Sequence, residues 1–192
     1  MADQQKGHPH NTGLPPGLES VKHIIAIASG KGGVGKSTVS SNFALALLKS
    51  GASVGLMDAD IYGPSQPLML GADKNRQPEI MGDFILPMHK HGLSFMSMGL
   101  LLDDNRPVIW RAPLATKMIH QFLGNVLWGE LDYLIIDLPP GTGDVQITLA
   151  QQAALTGAII VTTPQQVALG VARKGLQMFE HVNVPILGII EN

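Results

Sequence analysis

Apolar residues along this chain keep two alternating rhythms. Short apolar runs at residues 24–29, 53–57, 131–137, 157–163 and 185–190 read as strands, and the nearly continuous run 131–137 as one buried on both faces. Between them, residues 39–49, 114–128, 145–155 and 165–181 carry apolar positions at helical spacing; in 114–128 these are Leu114, Met118, Ile119, Phe122, Leu123, Val126 and Leu127. Gly51 marks the end of the first helix. Strand and helix in alternation predict an α/β domain: a mostly parallel sheet with helices on both faces. Two shorter runs, 84–88 and 93–98, flank His89-Lys90-His91-Gly92 and predict a hairpin or two strands with a turn, and 66–70 a short helix. Residues 1–20 are polar, with Pro and Gly and no apolar rhythm, and are expected to form a flexible arm ahead of a single domain over 21–192.

The first strand runs into Gly30-Lys31-Gly32-Gly33-Val34-Gly35-Lys36-Ser37-Thr38, and a helix follows. This fits G-x-x-x-x-G-K-[ST], a phosphate-binding loop. Small residues let backbone N–H groups curl around phosphate oxygens, and the helix adds the positive end of its dipole. Lys36 is placed to reach the outer phosphates and Ser37 to hold Mg²⁺. Two other strands end in acids. Asp58-Ala59-Asp60 closes the second, and Asp137 closes the run Leu131-Asp132-Tyr133-Leu134-Ile135-Ile136. Carboxylates at the carboxyl ends of parallel strands point into the ligand crevice, so Asp58 and Asp137 are candidates for Mg²⁺, partly through water, and Asp60 for orienting water. The plain alternative for Asp58 and Asp60 is capping of the next helix. Gly141-Thr142-Gly143-Asp144 follows Pro139-Pro140 as a rigid turn, where Asp144 is expected to cap the next helix ahead of sensing nucleotide.

Composition narrows the classes. Net charge is −2, which leaves no basic footprint for nucleic acid. With no cysteine, this chain forms no disulfide and ligates no zinc or iron–sulfur cluster by thiolate. No apolar run reaches the ~18 residues of a membrane span. The first residues show neither a signal core nor an arginine-rich transit pattern, so a cytoplasmic protein is expected, with the mitochondrial matrix as the alternative. Charged residues make up 15% of the chain, against about 25% in an average domain. Either an oligomer interface or a missing part covering apolar faces accounts for that. The alternating pairs His8/His10 and His89/His91 lack further ligands at metal spacing and read as solvated turns.

The loop with its second lysine, Lys31, resembles the deviant Walker A loop of nitrogenase iron protein, ParA and MinD. Further strings sharpen the likeness: Asp58-Ala59-Asp60-Ile61-Tyr62-Gly63-Pro64-Ser65, Ser97-Met98-Gly99, Trp110-Arg111-Ala112-Pro113, Asp137-Leu138-Pro139-Pro140-Gly141-Thr142-Gly143-Asp144 and Thr162-Thr163-Pro164-Gln165. Together they resemble the Mrp/ApbC iron–sulfur cluster carrier ATPases from about residue 18 to the end. The resemblance implies weak ATP hydrolysis coupled to delivery of a 4Fe–4S cluster from scaffold to recipient apoproteins. It implies a homodimer in which Lys31 reaches the partner's nucleotide, with Lys31, Lys36 and Asp60 catalytic and Asn192 against adenine. It also implies a Cys-x-x-Cys pair just beyond Glu191-Asn192, so the domain is expected to be incomplete at its C-terminus. Val171 stands where the family usually has aspartate and Ala112 where it has glycine, and the small N-terminal domain of many members is not expected here. A ParA/MinD-type partitioning switch is the alternative, and a nucleotide-binding dimerisation partner without turnover a third reading.

Overall fold

The computed structural model describes residues 15–73, 76–100 and 112–192. In chain order the elements are β1 (Val21–Ser29), α1 (Lys36–Lys49), β2 (Val54–Asp58), α2 (Gln66–Met69), β3 (Ile80–Met81), β4 (Phe84–Ile85), β5 (Met88–Lys90), β6 (Leu93–Ser97), α3 (Ala112–Asn125), β7 (Leu131–Asp137), α4 (Asp144–Gln152), β8 (Gly157–Thr162), α5 (Gln166–His181) and β9 (Ile186–Glu191). One seven-stranded sheet runs β5-β6-β2-β7-β1-β8-β9. All its pairs are parallel except β5 with β6.

Four of the five apolar runs are largely buried; 185–190 is not, because β9 lies at the edge of the sheet and leaves Leu187 and Ile189 52% and 58% exposed. β2 and β8 are buried along their whole length, and β7 from Leu134 to Asp137. α1 packs with α2, α3 with α4, and α4 with α5. Side chains such as Ile27, Leu56, Phe95, Phe122 and Phe179 between these layers have at most 1% of their surface exposed. Each contributes roughly 1.5–3 kcal/mol of transfer free energy.

Register decides which side chains meet. Ser97 pairs with Asp58, Asp58 with Asp137, and Asp137 with Ile27, so one row across the sheet sets two aspartates side by side. No local pattern in the sequence contains that row, because it depends on β7 inserting between β1 and β2.

Three expectations are corrected. The run 84–88 breaks at Leu86-Pro87: its end, in β5, forms the expected hairpin with β6, while its start, β4, pairs with β3. His89 and Lys90 lie in β5, leaving His91 and Gly92 as the turn, with φ of 52° and 84°. Both positive values suit the two-residue turn whose twist matches its strands. His91 shares a hydrogen bond with the Leu70 carbonyl at 3.0 Å, and His89 with Ser94 at 3.3 Å. Residues 15–20, assigned to the arm, are docked. Pro16–Leu18 form a 3₁₀ turn with Leu18 wholly buried, packed against α3. Apolar burial of one leucine outweighs the polar look of its neighbours. The remaining arm with His8 and His10, and the Trp110-Arg111 part of its string, lie outside the described residues.

At the amino ends of the strands Lys22 pairs with Asp132 at 2.7 Å, and the Ser53 N–H and Oγ donate to the same carboxylate at 2.8 and 2.9 Å. These bonds tie the starts of β1, β2 and β7. The Lys22 hydrogen bond, then the Ser53 N–H, hold Asp132 well below the usual carboxylate range. A carboxyl lowered in the fold stabilises above its unfolded pKa, near 3.8, and that contribution fades as pH falls below it. Asp132→Asn should therefore lower the thermal midpoint at pH 7, with the gap to wild type closing below about pH 4; a pH-independent gap would refute the assignment. A Cβ at Gly17 would meet the backbone carbonyl oxygens of Val126, Leu123 and Gly124. Gly17→Ala is thus expected to cost about 1–3 kcal/mol in urea unfolding, and an unchanged midpoint would mean that residues 15–20 are not docked.

Candidate nucleotide site

The loop leaves β1 at Ser29 and enters α1 at Lys36. Gly33 and Gly35 turn it with φ of 78° and 87°, a left-handed backbone that other residues adopt at a cost of roughly 1–2 kcal/mol. Among the described residues, no backbone N–H from Gly32 to Thr38 donates to another protein group. Gly32, Gly33, Lys36, Ser37 and Asp60 border a cavity of about 260 Å³. A row of unpaired donors at the start of a helix is an anion site. A hollow of about 820 Å³ beside Lys22 and Asp132 lies at the amino ends of the strands and has no such row.

The loop is gripped from two sides. A Cβ at Gly30 would meet the backbone of Val171 in α5 at 2.7 Å, so glycine is what lets the helix approach. At this position the departure from aspartate leaves an aliphatic side chain beside the loop. Asn192 donates from Nδ2 to the Val34 carbonyl at 3.0 Å, while its own N–H binds the Thr162 carbonyl at 2.9 Å. A side chain at Gly35 would strike Asn192. Lys31 does not border the cavity, and among the described residues its ammonium has no hydrogen-bond or ion-pair partner. Its carbonyl accepts from Ser29 Oγ at 3.0 Å.

Behind the loop lies a buried polar cluster. Lys36 Nζ donates to Asp137 Oδ1 at 2.6 Å and to Ser37 Oγ at 3.3 Å. Ser40 Oγ donates to the same Asp137 oxygen at 2.9 Å. Asp137 has no exposed surface and Lys36 only 6%. The face that α1 turns inward carries small side chains: Ser40 binds this carboxylate, Ser41 binds Gln66 Oε1, and Ala44 is buried beyond them.

Asp58, expected beside Mg²⁺, is wholly buried and, like Asp137, is not among the cavity's lining residues. Its carboxylate instead accepts from Asp60 N–H (3.2 Å), Ser65 N–H (3.1 Å), Gln66 N–H (3.1 Å) and Ser97 Oγ (2.9 Å). Burial, then the charge of Asp137, push it up to about 6 in spite of these bonds. Raised in the fold, it takes stability away as pH climbs from its ordinary value toward 6. Asp60 does border the cavity, and its Oδ1 accepts the N–H groups of Tyr62 (3.3 Å) and Gly63 (3.1 Å).

The turn after β7 folds onto the loop through Gly141 N–H and the Ser29 carbonyl, 2.8 Å. Asp144 is not its cap. Gly143 takes that place, and Gln146 closes the turn, donating to the carbonyls of Pro139 and Pro140 and accepting from Gly143 N–H. Asp144 opens the helix, where an acid suits the dipole. Sequence reasoning passed over both Gln66 and Gln146. A glutamine three residues into a helix was a readable signal for Gln146, whereas Gln66 carried none.

A glycine loop between strand and helix, free amides over a cavity, and a lysine and an aspartate buried beneath them define a P-loop nucleoside triphosphatase of the parallel α/β class. The chain belongs to the ParA family: the family profile described as "NUBPL iron-transfer P-loop NTPase" matches residues 20–192. It is 53% identical over 178 residues to a protein of Pseudomonas fragi and 55% identical over 177 to one of Escherichia coli K12, both named iron-sulfur cluster carrier protein. These alignments cover 92% of this chain but 62% and 48% of the relatives, so the chain spans about half their length. The solved nucleotide-binding protein of Archaeoglobus fulgidus, in complex with ADP, is similar with a TM-score of 0.79 and 42% identity, over 92% of this chain and 68% of that one.

Removing one member of a buried ion pair strands the other. Lys36→Met keeps the bulk but not the charge, and equilibrium unfolding without nucleotide should show a loss of about 3–5 kcal/mol. Adding Asp137→Asn should return part of it; a single variant as stable as wild type would contradict the buried pair.

Proposed function

We propose that these residues are the ATP-binding and ATP-hydrolysing part of an iron–sulfur cluster carrier. The observation that carries this is the row of unpaired loop amides over a cavity that ends at Lys36, Ser37 and Asp60. The donor set also suits Mg²⁺. A hydroxyl and a carboxylate are hard oxygen ligands, and Ser37 Oγ and Asp137 Oδ1 already share one cation, the Lys36 ammonium.

In this reading the phosphates take the loop N–H groups, and Lys36 exchanges Asp137 for phosphate oxygen. Ser37 and, through water, Asp137 would hold Mg²⁺, which would supply positive charge against that of the phosphates. Asp60, steadied by two backbone amides, orients water. Attack forms the bond from water oxygen to Pγ and breaks the bond from Pγ to the ADP oxygen, and the water's protons end on phosphate and solvent. Asp58 holds the segment that carries Asp60. Asn192, fastened to the loop, lies toward the base.

Lys31 is assigned to a partner's nucleotide across a homodimer, since it has no work in its own site. Tyr62 and Leu68 are 62% and 72% exposed, and Met69 borders the cavity itself, an apolar rim of the kind a protein surface covers. Clusters are cargo passed from a scaffold to recipient apoproteins, in keeping with the names of the relatives. None of the 192 residues is cysteine, so these residues contribute nucleotide chemistry and no thiolate. No helix among the described residues is long and apolar enough to cross a membrane, and a cytoplasmic site of action belongs to this reading.

Calorimetry with Mg-ATP and sedimentation with a non-hydrolysable analogue test it. Wild type should bind and dimerise. Lys31→Ala should still bind but stay monomeric, with turnover down about 10³-fold, the low end for a cation supplied in trans. A wild-type chain that binds no nucleotide would sink the proposal, and nucleotide-driven attachment to DNA or anionic vesicles would favour the partitioning switch.

A further inference from the structure

Gln66 has no exposed surface, and a buried carboxamide is tolerated when its polar atoms are matched. Here each one is. Nε2 donates to Asp137 Oδ2 at 2.8 Å and to the Ser37 carbonyl at 3.0 Å, and Oε1 accepts from Ser41 Oγ at 2.5 Å. The backbone N–H completes the set on Asp58 Oδ2. The orientation of the amide follows from its partners: turned over, it would aim its carbonyl oxygen at a carboxylate. One residue thus joins β2, β7 and the first turn of α1.

It does so from a segment that cannot hold itself. α2 has four residues, far fewer than a helix needs to stand alone. The same segment carries Asp60 and lends Ser65 and Met69 to the cavity wall. Asp137 divides its oxygens accordingly: Oδ1 takes Lys36 and Ser40 from α1, and Oδ2 takes Gln66.

We propose that Gln66 is a positioning residue that ties the segment 58–70 to the state of the phosphate loop. It holds Asp137 by the oxygen that Lys36 leaves free. When Lys36 turns from Asp137 to phosphate, Gln66 and Ser40 keep the carboxylate in place, and Gln66 carries the change at the loop into the segment bearing Asp60. Its carboxamide bonds are all in use, so it cannot rotate without moving that segment. This inference rests on the nucleotide reading above.

The test uses Gln66→Met, which keeps length and adaptability without a donor, and Ser41→Ala, which removes one partner of the amide and leaves its bond to Asp137. Affinity for fluorescent ADP is measured in EDTA and in Mg²⁺, with amide hydrogen exchange over 58–70. Gln66→Met should stay folded and bind in EDTA within about twofold of wild type. Its gain from Mg²⁺ should shrink about 10- to 100-fold, the usual effect of losing a group that orients a metal ligand. The exchange protection that Mg-ADP confers on 58–70 should disappear, whereas Ser41→Ala should retain both. A Gln66→Met protein with the Mg²⁺ gain and the protection intact overturns the proposal. So does one that unfolds, or that loses affinity equally with and without Mg²⁺, because the role is then only structural. If wild type binds no nucleotide, the functional reading fails by itself, and the coupling is judged in the free protein. Lys36→Met should then speed exchange over 58–70 in wild type and not in Gln66→Met; equal acceleration in both backgrounds overturns it.

Discussion

A carboxylate with no exposed surface governs this molecule. Asp137 ends a strand that is buried on both faces, and an ionised group there is tolerated only when its charge and lone pairs are met. Lys36 supplies the charge at 2.6 Å, and Ser40 and Gln66 the remaining bonds. Much of the local architecture follows. α1 must present small polar residues where a helix over a sheet would ordinarily present leucines, and its first residue must be the lysine that ends the loop. α2 must come close enough to bring in an amide.

The neighbouring strand sharpens the problem. Asp58 is in register with Asp137, so two carboxylates face one buried space. Repulsion and burial are answered on the Asp58 side by backbone amides of Asp60, Ser65 and Gln66. The chain after β2 therefore curls back over its own last residue. Asp60 reaches the cavity because of that curl, fixed by amides of the same loop. Asp58 organises the segment from within while Asp60 borders the cavity, a division between two acids only two positions apart.

The loop above this cluster is held with little freedom. Val171 abuts Gly30, Asn192 binds the Val34 carbonyl, and Gly141 binds Ser29 from the turn after β7. Its amides stay unpaired while the surrounding backbone is fastened, so the donors are preorganised and need not be ordered when phosphate arrives. Lys36 both binds Asp137 and borders the cavity, so it links the buried cluster to the cavity.

The sequence alone determined the alternation of strand and helix, the glycine turn between β1 and α1, and the acids that close β2 and β7. Each of these is written in neighbouring residues: apolar runs, helical spacing, and a glycine pattern with lysine and serine at its end. Local signals failed where distant parts compete. Pro87 split a run that looked like one strand, and Leu18 docked a stretch that looked loose because α3 offered it a buried place. Only the tertiary structure decided that Asp58 would be enclosed while Asp60 met the cavity, since that depends on β7 entering between β1 and β2 and setting two aspartates in one row. Gln66 was invisible for the same reason. An amide side chain carries no period and no motif, and its part is defined by partners on strands and a helix that meet only when the sheet is assembled.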